Sequence, residues 1–192
     1  MAESSWKVIA GLGNPGPEYA STRHNVGWWL LDRLAERWGF GRFKKEGPAG
    51  IASGRVGEQR VRLVKPLTYM NLSGNALSGL RRLNGFDIGR DLLVLVDDVA
   101  LEPGRARFRP EGSAGGHNGL KSVEAALGTR AYPRLRIGVG QKPPGADLAR
   151  WVLAPLPSAD RRAVLDLLPD LEDGVELWLR EGIEAAMNRY NQ

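Results

Sequence analysis

Apolar positions along the chain fall into two rhythms that replace one another from end to end. "KVIAGLG", starting at Lys7, is a short β-branched run closed by glycines and predicts a buried strand. "NVGWWLLDRLAERWG", Asn25 to Gly39, repeats apolar residues every three or four positions and stops at glycine, the mark of a helix with a glycine C-terminus. "GIASGRVGEQRVRLVKP" offers two strands around Gly57-Glu58, an antiparallel hairpin appended to a sheet. "NLSGNALSGLRRLNG" predicts a helix from Asn71 to Gly85 whose serines and glycines allow close packing. "DLLVLVDDV" is apolar at successive positions, which predicts a strand buried on both faces and so the sheet centre.

Further on, "RARFRP" reads as a polar strand, "GGHNGLKSVEAALG" as a helix and "RLRIGVG" as another strand. From about Ser158 to Tyr190 the pattern is mostly helical, with apolar residues at Val164, Leu167, Leu168, Leu171, Val175, Leu177, Trp178, Ile183 and Met187. Strand and helix patterns alternate without an internal repeat, so the expected class is α/β, one domain over residues 1–192.

Composition narrows the chemistry. No apolar run reaches the roughly 18 residues of a spanning helix, and "MAESSWKVIAG" lacks a signal-peptide pattern, so a cytoplasmic location without membrane contact is expected. The absence of cysteine excludes disulfides, thiolate nucleophiles and zinc–cysteine sites, and two histidines argue against a His-rich metal site. A net charge of +5 favours a polyanionic partner.

"GLGNPG", Gly11 to Gly16, matches the dinucleotide-binding pattern and follows a strand. The fingerprint also needs a helix to open at its last glycine, whereas Pro17 and a polar stretch follow here and delay the helix to about Asn25. Two readings of Asn14 stay open: a turn former before Pro15, or an amide projected into a crevice at the sheet's C-terminal edge.

His24 lies ten residues beyond Asn14, at the start of the first helix. Asp97 and Asp98 end the central strand with side chains on opposite faces, so only one is expected to face the site. A carboxylate beside an imidazole makes a general base. Asn71 and Asn118 stand near helix starts as caps or substrate contacts, and His117 reads as a packing or capping residue. Neither Ser21 nor Ser113 carries a nucleophile-elbow pattern. Arg105, Arg107 and Arg109 alternate on one strand; Arg134 and Arg136 repeat that spacing on another, with Lys121 on the helix between, a stripe suited to RNA phosphates.

Five blocks in one order, "GLGNPGPEYASTRHNVG", "KPLTYMNLSG", "LLVLVDDVALEPG", "GSAGGHNGLKS" and "RLRIGVG", resemble the bacterial peptidyl-tRNA hydrolase family across nearly the whole chain. The resemblance implies a single globular α/β domain, a mixed twisted β-sheet with central parallel strands flanked by helices on both faces, and a helical C-terminus. It implies a monomeric esterase without metal or nucleotide cofactor, whose partner is peptidyl-tRNA. Carried over, His24 is the general base, Asp97 orients it, and Asn14 senses the blocked amino group. Asn71 and Asn118 then hold the peptide, the terminal adenosine and the water; Tyr19, Tyr69 and Met70 line the channel; Arg107, Arg109 and Arg136 meet tRNA phosphates. Two departures stand out: Tyr69 replaces a common phenylalanine, and Asp98-Val99-Ala100 lacks one of the usual carboxylates. The competing readings are a non-catalytic RNA-binding module on the same fold and a phosphate-binding nucleotide enzyme.

Overall fold

A computed structural model describes residues 5–191. Seven strands, β1 (Lys7–Gly11), β2 (Lys44–Glu46), β3 (Ala49–Val56), β4 (Gln59–Pro66), β5 (Leu92–Asp98), β6 (Ala106–Arg109) and β7 (Arg134–Gly138), make one sheet in the order β2-β3-β4-β1-β5-β7-β6. The four central strands β4, β1, β5 and β7 run parallel, while β2, β3 and β6 pair antiparallel at the flanks. Helices α1 (Val26–Arg37), α2 (Ile88–Asp91), α3 (Asn118–Leu127), α4 (Leu148–Val152), α5 (Ser158–Glu181) and α6 (Ile183–Tyr190) complete it.

The apolar run of β5 is explained by two cores. Leu93 and Leu95, with Ile9 of β1, face Leu30 and Leu34 of α1 and Leu168 and Val175 of α5. Leu92, Val94 and Val96, with Val8 and Ala10, face Leu120, Val123 and Leu127 of α3. Alternation along a strand covered on both faces leaves no position for a polar residue until the strand ends. Each fully buried Leu contributes about 1.5–3 kcal/mol over its exposed state.

The segment expected as a helix over 71–85 is instead two 3-10 helices, Met70–Ala76 and Leu80–Arg82. Its bonds reach back three residues, as in Leu77 to Gly74 and Arg82 to Gly79. Ser73 and Ser78 bond local carbonyls with their hydroxyls, the competition that makes such residues poor in an α-helix. Packing demands the rest: a Cβ on Gly74 would sit 2.2 Å from the Ser122 carbonyl oxygen of α3. The close packing expected of this segment is therefore present, without the α-helix. The short strand β2 and the short helices α2 and α4 carried no sequence pattern long enough to announce them.

From β1 the chain crosses one face through α1, and from β4 it reaches β5 across the other face through the 3-10 segment. A crevice opens where connections diverge, at the C-terminal ends of β1 and β5. Gly27, in the first turn of α1, lets the helix press against those ends: a Cβ there would lie 2.6 Å from the Leu95 carbonyl and 2.9 Å from that of Leu12.

Candidate active site

Two 3-10 turns, Pro17–Tyr19 and Arg23–Asn25, separate the glycine loop from α1, so only a three-residue 3-10 turn, and no α-helix, opens at Gly16 where a pyrophosphate site needs one. They bring His24 over the end of β5. His24 Nδ1 lies 2.8 Å from Asp97 Oδ2, both side chains nearly sealed from solvent. Asp97 Oδ1 is 2.7 Å from Nε2 of His117. One carboxylate therefore bridges two imidazoles whose ring centroids are 4.7 Å apart.

The hydrogen-bond network assigns the protons. His117 Nδ1 accepts from the backbone N–H groups of Gly119 and Leu120, capping α3, so its proton sits on Nε2 and points at Asp97. An ionised carboxylate only accepts, so His24 carries its proton on Nδ1, and Nε2 keeps a free lone pair toward the cleft. Among the described residues Nε2 has no protein partner and is not a buried orphan. Burial alone would raise the Asp97 carboxyl; the electrostatic attraction of the His117 and His24 rings and the hydrogen bonds from their N–H groups outweigh it and hold the group well below the usual carboxylate range.

The same three side chains offer donor atoms within 4.8 Å of one another, as a metal site would. Two nitrogen or oxygen ligands about 2.1 Å from a tetrahedral zinc sit about 3.4 Å apart. The separations of 2.8 and 2.7 Å are those of hydrogen bonds, each carboxylate oxygen serving one ring.

Asn14 is buried beside them. Its Oδ1 accepts from the Met70 N–H at 2.7 Å, which leaves the amide nitrogen as the group it can present to a ligand. The Asn25 side chain accepts from the Asn14 N–H and donates to the Asn14 carbonyl, at 2.9 and 3.0 Å. Asn71 and Asn118, both exposed, border the same cleft of about 500 Å³, with Tyr19, Tyr69 and Met70 along one side. The Tyr19 and Tyr69 rings meet edge to face, 6.4 Å between centroids. Asn118 is the first residue of α3, as expected; Asn71 is the second residue of the Met70–Ala76 3-10 helix.

Of the basic residues, Arg136 borders the cleft and pairs with Asp98 at 3.2 Å. Asp98 thus reaches the cleft rim as well, and the expectation that one acid alone faces the site holds only for contact with the histidines. Arg107 stands opposite Arg136 across the β6–β7 pair, exposed; Arg109 is half-buried, and Arg105 precedes the strand. Arg134 leaves the expected stripe: it is 1% exposed, stacked on Tyr132, and donates to the carbonyls of Tyr132, Ser113 and Arg130. A guanidinium committed to three carbonyls braces the 130–132 turn and ties it to Ser113 of the 111–117 loop.

Residues 8–192 match the family model described as peptidyl-tRNA hydrolase. The chain belongs to the peptidyl-tRNA hydrolase family. It is 51% identical over 185 residues to the peptidyl-tRNA hydrolase of Gemmatimonas aurantiaca, covering 95% of this chain and 97% of that one. Identity to the peptidyl-tRNA hydrolase of Symbiobacterium thermophilum is 52% over 187 residues, 96% and 98% of the two chains. The crystal structure of peptidyl-tRNA hydrolase from Acinetobacter baumannii matches with a TM-score of 0.89 at 32% identity, covering 100% of this chain and 97% of that one. The protein is a hydrolase with the expected α/β fold.

Sequence reasoning missed two members of this peptidyl-tRNA hydrolase site. His117, expected to pack or cap, does cap α3, but its bond to Asp97 joins elements 20 residues apart. Asn25 directly follows His24, and no periodicity distinguishes a clamp from a surface amide.

Proposed function

We propose that the hydrolase cleaves the ester joining a peptide to the 3′-terminal ribose of tRNA in peptidyl-tRNA, returning free tRNA to translation. His24 Nε2 takes a proton from water as the oxygen attacks the ester carbonyl carbon. The imidazolium that forms is stabilised through Nδ1–H by Asp97, held ionised between its two rings. Charge develops on the carbonyl oxygen, where the Asn14 amide nitrogen is a suitable donor. Collapse breaks the bond to the ribose oxygen, and that oxygen leaves with the proton from His24. The products are a peptide acid and a free hydroxyl on tRNA, so atoms and charge balance with water alone.

Asn71 and Asn118 hold peptide backbone, terminal adenosine and water, and Tyr19, Tyr69 and Met70 line the channel. Arg107, Arg109 and Arg136 contact phosphates. Arg107 and Arg136 stand directly opposite on paired strands with Asp98 against only one of them, and a polyanion across the pair offsets the charge that is left. We further read the chain as one monomeric domain over residues 1–192 acting in the cytoplasm; no helix among the described residues is long and apolar enough to cross a membrane.

The observation carrying this reading is the His24–Asp97 bond, which leaves the distal imidazole nitrogen open to the cleft. The test compares N-acetyl-aminoacyl-tRNA with its free-amine counterpart, for the natural protein and for His24→Ala. Selective cleavage of the blocked ester, abolished in His24→Ala, is expected; undiminished turnover in that variant overturns the assignment.

A further inference from the structure

Arg23, next to the proposed base, is 2% exposed and takes no part in the chemistry above. Its guanidinium lies over the Trp151 ring, 3.5 Å from the centroid. Nη1 donates to the carbonyls of Trp151, Ala154 and Pro155 at 3.1, 3.4 and 3.3 Å. The backbone adds a bond from Arg23 N–H to the Ala154 carbonyl and a bridge between Thr22 and Pro155. Trp151 donates its indole N–H to the Gly140 carbonyl, just past β7. One buried cation thus ties α4 and the turn after it to the neighbour of His24. Among the described residues no carboxylate lies within ion-pair distance of it; burial lowers its pKa, the charge of Asp160 partly offsets that, and the ring and the carbonyls are its direct contacts.

The other side of this segment faces the cleft. Leu148, Val152 and Leu153 line it, and Leu148 and Leu153 are 36% and 40% exposed. The cleft also presents the amides of Asn14, Asn71 and Asn118. Amides recognise a peptide backbone by hydrogen bonds, whereas an apolar wall offers only surface, which suits a side chain.

We propose that Arg23 and Trp151 form a strut that sets the α4 wall against His24 and, through that wall, tunes the hydrolase toward esters whose acyl residue has a bulky apolar side chain. This rests on the hydrolytic reading above. Arg23 and Trp151 are positioning residues, since neither is among the residues lining the cleft. A phenylalanyl or leucyl side chain gains by burial on the wall; a glycyl ester has nothing to bury there.

Steady-state cleavage of N-acetylphenylalanyl-tRNA and N-acetylglycyl-tRNA tests this in the natural protein, Trp151→Ala, Arg23→Gln and Arg23→Lys. Trp151→Ala should raise KM for the phenylalanyl ester about tenfold and for the glycyl ester less than about threefold. Arg23→Lys, which keeps a donor but loses the planar stack, should fall between the natural protein and Arg23→Gln. Equal changes for the two esters, or a loss confined to kcat, overturn the strut. If Arg23→Gln fails to fold, the Trp151 variant decides alone. The natural protein's own turnover separates the two ideas, because failure to cleave either ester defeats the hydrolytic reading itself.

Discussion

The Asn25 side chain grips the backbone of Asn14 at both polar groups, accepting from its N–H and donating to its carbonyl. This is the pairing a neighbouring strand would make, supplied by one side chain inside a loop. It frees the Asn14 side chain to spend its oxygen on Met70 and turn its nitrogen to the cleft. Asn25→Ala leaves two buried backbone groups without partners, so a loss of about 2–3 kcal/mol is expected in urea unfolding. The same variant should lower kcat/KM on a blocked aminoacyl-tRNA by about tenfold or more, as the amide loses its alignment. A stability within about 0.5 kcal/mol of the natural protein would show that the clamp holds nothing.

Asp97 accepts from two rings at once, which an amide cannot do. Asp97→Asn offers one acceptor and one donor, so one imidazole must adopt the opposite tautomer or lose its bond. In a histidine–aspartate pair that exchange costs about 10³–10⁴ in kcat with the fold intact. Rapid-quench turnover together with circular dichroism checks this; near-natural kcat in a folded variant would refute the assignment.

The proposed chemistry uses only water and side chains, so exhaustive dialysis against a chelator should leave kcat within about twofold of the untreated enzyme. Loss of activity on chelation, restored by added zinc, would instead make His24, Asp97 and His117 a ligand set.

Asp91 sits at the base of the sheet, bonded to Arg90, to the Asp87 N–H and to Lys7. Burial would raise its carboxyl, but these partners bring it down to about 2 from 3.8. A folded value below the unfolded one means the charged carboxylate is held more tightly in the fold. Its stabilisation is complete above about pH 5 and drains away as the pH falls through 4 toward 2. Arg90 reaches solvent, so screening reduces the effect to the order of 1–2 kcal/mol. Urea midpoints between pH 3 and 6 should therefore fall more steeply in the natural protein than in Asp91→Asn; parallel curves would remove Asp91 from the acid response.

Arg134 and Arg136 share a strand and a residue type, yet opposite consequences are expected. Arg134→Ala opens a cavity beside Tyr132 and takes a donor from the carbonyls of Tyr132, Ser113 and Arg130, the last of which keeps the Gly112 N–H, costing about 3 kcal/mol of stability. Arg136→Ala should leave stability within about 1 kcal/mol while weakening tRNA binding and reducing its logarithmic salt slope by about one. Binding at several salt concentrations separates them; an unchanged slope in Arg136→Ala would exclude its phosphate contact.

Some of this was legible one residue at a time. The β5 run announced a strand covered on both faces because burial leaves no room for alternation. The same logic misled at 71–85, where leucines recur at helical spacing but Gly74 must pass within touching distance of α3. Arg134 and Arg136 look identical in sequence, but the 130–132 turn and Ser113 enclose the first, while the second pairs with Asp98 at the cleft rim.

Periodicity and local chemistry in the chain by themselves determined the longer elements, their alternation and the two-sided core, and marked His24, Asp97 and Asn14 as candidates; the 3-10 path of residues 70–82 and the short elements β2, α2 and α4 escaped them. Tertiary structure alone decided that His117 comes to the second carboxylate oxygen, that Asn25 clamps Asn14, and that Arg23 reaches α4. Those contacts join residues as far as 132 positions apart. A hydrogen bond across such a separation depends on how whole elements pack, and neighbours along the chain carry no record of it.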